Sequence, residues 1–183
     1  MFKYTVISVL LYLLSITSTY ADVINKIFIK GNQRIESNTI LSYLNIKKNK
    51  EIQDEDLNVM FKELFATDLF SNISFNFDNN SLFIEVEENP IINRIALEGN
   101  KRIDDEDILP EIFLKPIDIF TLNKVKNSLQ TILGIYRGNG RYAAIVEPKV
   151  ILLEQNRVDL IFEIVEGPLS KIKFINFLGN SFF

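Results

Sequence analysis

The strongest constraint on the fold is a repeat. Ile27-Phe-Ile-Lys-Gly31-Asn32-Gln-Arg34-Ile35 returns as Ile95-Ala-Leu-Glu-Gly99-Asn100-Lys-Arg102-Ile103, and Ile175-Asn-Phe-Leu-Gly179-Asn180 opens a third copy. The segments ahead of the later copies also match: Phe83 to Pro90 leads into the second, Leu160 to Pro168 into the third. A repeat of this size is one supersecondary unit. The chain therefore reads as two whole modules, 22–90 and 91–168, followed at 169–183 by the first strand of another, and so as a fragment of a longer chain.

Within the first module the hydrophobic period changes twice. Ile24 to Lys30 reads as a strand closed by the Gly31-Asn32 turn, and Glu36 to Leu44 as a short helix with Ile40, Leu41 and Leu44 on one face. Asp54 can cap a second helix running to about Leu69, with a stripe of Leu57, Phe61, Leu64, Phe65 and Leu69. Ile73, Phe75 and Phe77 then alternate with polar neighbours, as do Leu82, Ile84 and Val86, around a turn at Asp78-Asn79-Asn80. The unit is β-α-α-β-β.

The second module repeats that order. Asn93 to Glu98 is its first strand and Asp104 to Phe113 a short helix that Pro110 kinks or shortens. Thr121 caps a helix carrying Leu122, Val125, Leu129, Ile132, Leu133 and Tyr136, with Gly138 at its C-terminal cap. Tyr142 to Leu152 and Arg157 to Val165 close the module as a hairpin. Each module is thus α+β in two layers, a three-stranded sheet under two helices.

The chemistry is narrowed by what is missing. There is no Cys, no His and no Trp among 183 residues. That removes disulfides, thiolate nucleophiles, Cys-ligated metals and the commonest general base. A net charge of −4 with interspersed signs argues against a nucleic-acid face. Asp104 to Asp107 and Asp54-Glu55-Asp56 read as helix N-termini, where acids complement the dipole, rather than as a metal site or catalytic pair. Gly138-Asn139-Gly140 follows a helix, whereas a phosphate loop precedes one, so it reads as a cap and turn. Tyr142 and Phe83 fit either an exposed partner contact or the core. No catalytic residue, metal ligand or cofactor site emerges, and the chain reads as a binding protein, not an enzyme.

Lys3, the apolar stretch Thr5 to Ile16, and Thr19-Tyr20-Ala21 form the pattern of an export signal at 1–21, cut after Ala21. The apolar stretch is shorter than the about 20 residues of a spanning helix, although an uncleaved anchor is the other reading. The modules are thus expected outside the cytoplasm. There, a sheet of three strands has two edges, each a row of unpaired N–H and C=O groups able to take up an extended peptide.

At this point the residues resemble a family. The two Gly-Asn-x-Arg-Ile segments, Leu64 to Phe70 before a strand, Gly140-Arg141-Tyr142, and Arg157 to Gly167 are together similar to the polypeptide-transport-associated (POTRA) repeats of the BamA family of outer-membrane assembly factors. The resemblance implies periplasmic modules ahead of a C-terminal membrane barrel that these residues lack. It implies modules that receive unfolded outer-membrane proteins and hold accessory lipoproteins, with periplasmic chaperones as further partners, no nucleic acid and no cofactor. It also implies that the second strand of each module is the exposed edge. The binding edge is then Ile73, Ser74, Phe75, Asn76 and Phe77 in the first module and Ala143, Ala144, Ile145 and Val146, extending to Lys149, in the second. Pro148 removes one donor from that second edge.

Related transporters of the translocation-and-assembly and two-partner secretion branches share such modules, and a single-pass division protein carries one behind an uncleaved anchor. Tandem copies argue against the last. A periplasmic hydrolase would need facing carboxylates, and none is spaced to suggest them.

Overall fold

The computed structural model describes residues 22–44, 46, 51–176 and 179. The expected export signal, 1–21, lies outside them. The described chain falls into two compact units, one made of residues up to 66 with 72–86, the other of 67–71 with the residues from 87 onward.

In the first unit, β1 (Asp22–Val23) pairs antiparallel with β3 (Glu51–Ile52) as a small separate ribbon that the sequence did not announce. The main sheet has the order β2-β5-β4, from β2 (Lys26–Lys30), β4 (Phe70–Asp78) and β5 (Ser81–Glu88). β2 runs parallel to β5, with Lys26 opposite Ser81 and Ile29 opposite Ile84. Leu82, Ile84 and Val86 are buried, as the period-two reading requires. Asn79 and Asn80 both hold positive φ, 47° and 58°, the backbone that a two-residue hairpin turn demands.

The helices are α1 (Ser37–Leu44), which buries Ile40 and Leu44, and α2 (Asp54–Phe65). Two expectations for α2 are corrected. Its buried residues are Met60 and Leu64, with Leu57 half-buried, whereas Phe61 and Phe65 are 39% and 51% exposed. One residue is about 100° of helical rotation, so Phe65 stands a quarter turn beyond Leu64, off the inward line. The two phenyl rings instead stack on each other, with centroids 5.6 Å apart. The helix also stops at Phe65 and not near Leu69. Asp68 takes φ of 60°, a left-handed state that Asp tolerates, and Thr67 Oγ1 accepts a hydrogen bond from the Leu69 N–H.

The second unit repeats the sheet as β6-β8-β7, from β6 (Ile91–Glu98), β7 (Ile145–Leu153) and β8 (Arg157–Val165). β8 is the central strand, parallel to β6 and antiparallel to β7. α3 (Asp105–Ile108) is a single turn, shorter than expected. Pro110 has no N–H with which to extend the helical ladder. α4 (Leu122–Gly138) starts at Thr121, whose hydroxyl accepts from the Lys124 N–H. It buries Val125, Ser128, Ile132 and Tyr136 against a core that includes Ile108, Ile112, Leu160 and Phe162. Leu122, expected on the inward stripe, is the first residue of the helix and is 77% exposed.

The helix end is a further correction. Gly138 is still helical. Gly140 is the residue with left-handed backbone, φ 74°, and it donates to the Arg137 carbonyl while Arg141 N–H donates to the Tyr136 carbonyl. That crossed pair of bonds defines a Schellman stop with glycine two residues later than expected. Residues 166–176, which include the described start of the expected third opening strand, form no regular element; Ser170 N–H donates to the Gly140 carbonyl. In each module the opening strand pairs with that module's own closing strand, as Lys26 does with Ser81.

Candidate peptide-binding edges and comparison with known proteins

The Gly-Asn repeat has the same structural duty in both modules. Gly31 and Gly99 have φ of 86° and 92°, and a Cβ at either would stand 2.0 or 2.1 Å from the carbonyl oxygen of Val86 or Ile164. Only glycine fits where the opening strand turns under the closing one. The adjoining Asn side chains tie the turn: Asn32 Nδ2 donates to the Ile35 carbonyl and Asn100 Nδ2 to the Ile103 carbonyl and to Asp105 Oδ1. Asp104, at the N-cap of α3, makes no capping bond through its side chain.

These turns leave β4 and β7 at the ends of their sheets. In β4, Ile73 is buried, Phe75 and Phe77 are half-buried, and Ser74 and Asn76 face solvent. The strand is nine residues long with no proline, and Asp78 is its one charge. β7 is differently built. Ile145 is 54% exposed, Val146 is buried, and Pro148 lies opposite Phe162. Glu147 and Lys149 follow on the face where Lys149 pairs with Glu163; that hydrogen bond and charge raise the Lys149 ammonium above its usual range. Proline within a paired strand is accommodated with its nitrogen on the open side, so this edge lacks a donor at mid-length.

Ala143 and Ala144, expected at the start of that strand, precede it. A compact turn holds them: Ala144 N–H donates to the Arg141 carbonyl, and Arg141 Nη1 donates to the Gly167 carbonyl at 2.6 Å. Gly167, with φ 67°, leaves so little room at Ala143 that a Cβ would lie 2.9 Å from its carbonyl oxygen. The Ala144 N–H is therefore taken up within the turn.

The opposite face of the second sheet carries a polar knot. Asp159 accepts from Asn93 Nδ2 and Arg94 Nε, each at 2.7 Å, and these two donors hold its carboxyl below the usual range. In the first sheet the same face carries Phe28 stacked on Phe83, centroids 5.1 Å apart. Tyr142 is 68% exposed, while Phe83 is half-buried by that stacking. Sequence reasoning missed Phe28, although its place opposite Phe83 follows once the parallel register is known. It also missed a cleft of about 460 Å³ lined by Gly99, Lys101, Arg102, Arg141, Glu166 and Gly167. Among the described residues no cluster of three or more acidic side chains is arranged to hold a metal ion.

Each unit is thus a mixed three-stranded sheet covered on one face by helices, twice in tandem. Residues 90–167 match the model of the POTRA family, described as a surface antigen variable number repeat. The chain is 26% identical over 162 residues to the outer membrane protein assembly factor BamA of Neorickettsia risticii, covering 88% of this chain and 22% of that one. It is 29% identical over 160 residues to the BamA of Neisseria meningitidis, covering 86% and 20%. Among solved structures, the N-terminal domain of Omp85 from Thermosynechococcus elongatus superposes with a TM-score of 0.57 at 15% identity, over 79% of this chain and 63% of that one. Residues 90–167 therefore match the POTRA family, and the chain is similar to the BamA assembly factors along most of its length. It spans about a fifth of the length of those two relatives.

Proposed function

We propose that this chain supplies periplasmic receiving modules for outer-membrane protein assembly, with repeats at 22–90 and 91–168 that bind extended, unfolded polypeptide by strand addition. On this reading the modules bind and position; they carry out no chemical step. Unfolded outer-membrane proteins are the substrates, and accessory lipoproteins and chaperones the partners. The membrane-embedded part lies outside these residues. The relationship to proteins named as assembly factors supports the pathway.

The observation that carries the mechanism is β4, which lies at the end of the order β2-β5-β4 and is paired on one side only. Main-chain pairing needs an exposed row of backbone donors and acceptors. β4 offers nine residues of it without proline, whereas Pro148 interrupts β7 and the charges of Glu147 and Lys149 blunt it. The first module is therefore the stronger receiver.

An NMR titration of the chain with a peptide of alternating apolar and polar residues tests this. Amide shifts should concentrate on Ile73 to Phe77. Asn76→Ala should bind like the parent, because backbone pairing tolerates a change on the solvent face. A proline scan from Ser74 to Asn76 should contain at least one folded variant with weakened binding. Shifts that gather on the helices, or normal binding by every folded proline variant, would sink strand addition.

A further inference from the structure

The two repeats differ at one place where their folds agree. At the Gly-Asn turn the first module reads Gln33-Arg34 and the second Lys101-Arg102. After the left-handed residue that follows the second helix, Asp68 or Gly140, the first module has Leu69 and the second Arg141. All three second-module cations line the same cleft of about 460 Å³, beside the ends of β6 and β8. We propose that this cleft binds a phosphate-class oxyanion, held by Lys101, Arg102 and Arg141.

The charge balance favours such a ligand. Glu166 lies in the cleft and is already engaged: its Oε1 accepts from the Arg102 backbone N–H at 2.7 Å and from the Tyr136 hydroxyl at 3.4 Å. Three cations against that one carboxylate leave two positive charges uncompensated within the cleft. Neither Lys101 nor Arg102 makes a side-chain ion pair among the described residues. A phosphate carrying between one and two negative charges near neutral pH matches that surplus, and guanidinium groups bind its oxygens in fork geometry. The phosphate can come from a soluble compound or from a lipid headgroup.

The test is an NMR titration of the isotopically labelled full chain with inorganic phosphate. The amides of Gly99, Arg102 and Gly167 should shift and saturate, while those of Gly31 and Arg34 stay still. Lys101→Gln, which installs the first module's side chain type, should weaken binding by about tenfold, the loss of one good charged contact. Arg141→Gln is the second variant, and unchanged amide dispersion away from the cleft shows that each variant is folded. Flotation with phosphatidylcholine vesicles, with and without phosphatidylglycerol, identifies the source. Capture by the anionic vesicles that Lys101→Gln weakens assigns the site to a lipid headgroup. Phosphate binding without vesicle capture assigns it to a soluble phosphate. Absence of saturable shifts at Gly99, Arg102 and Gly167, equal shifts at Gly31 and Arg34, or full binding by Lys101→Gln would overturn the proposal.

Discussion

Gly99 lies directly against the carbonyl oxygen of Ile164, so close that a Cβ would stand 2.1 Å from it. Gly99→Ala therefore forces the closing strand to move and places a side chain at φ 92°. Left-handed strain and overpacking together predict a loss of about 2–4 kcal/mol. Gly134, within α4, has nothing within 4 Å of its Cβ position. Gly134→Ala should instead stabilise by about 0.5–1 kcal/mol. Urea melts of the two variants should move in opposite directions.

Ile117 has φ of 78°, an outlier for a β-branched residue, in a turn where Asp118 N–H donates to the Lys115 carbonyl. Its side chain is 80% exposed, so little packing offsets the strain. Left-handed backbone costs about 1–2 kcal/mol for such a residue, and glycine returns part of the gain through its freer unfolded chain. Ile117→Gly should raise stability by about 1 kcal/mol, read as a higher urea midpoint at unchanged slope.

Helix phase in the first unit is testable by truncation. Leu64 is fully buried, so Leu64→Ala should cost about 2–5 kcal/mol. Phe65→Ala removes a larger but half-exposed ring and should cost less than about 1.5 kcal/mol, chiefly the stacking with Phe61. A Phe65 loss as large as that of Leu64 would mean that the ring is buried in solution.

The Tyr136 hydroxyl is pushed up to about 12 by burial, then by the charge of Glu166 and by its hydrogen bond to Glu166. Its folded pKa thus lies above the ordinary tyrosine value of 10.0. Ionisation favours the unfolded chain, so stability is unaffected by this group below pH about 10 and falls from there to about 12. Tyr136→Phe should remove that fall, and the difference between the two pH profiles isolates this one group from the other tyrosines and lysines.

Much of this fold is legible in the sequence because period and turn chemistry agree locally. Leu82, Ile84 and Val86 alternate, Asn79 and Asn80 suit positive φ, and all behave accordingly. The α2 stripe misled because Phe61 and Phe65 are hydrophobic without being inward; composition reports what a side chain is, not where the sheet stands. The β1–β3 ribbon has two residues a side, too few for a period to register. As for the candidate edge, alternation tells which face of β4 is buried, but its place beside β5 and opposite β2 depends on pairing across the module. The cationic cleft draws Lys101, Arg102 and Arg141 from separate segments, and only the folded chain brings them to one opening.

The parallel pairing of β2 with β5 also has a consequence in time. On the export reading, Lys26 to Lys30 emerge from the translocation channel before Ser81 to Glu85, their partners. Until then the newborn strand has no neighbour in its own sheet, while the β4–β5 hairpin needs only adjacent residues. The hairpin should therefore nucleate and the oldest strand dock last, after a long loop has closed around α1 and α2. During that interval the exposed strand is open to any extended segment that reaches it first, so refolding from denaturant should yield more misassembled chain as protein concentration rises and less on dilution.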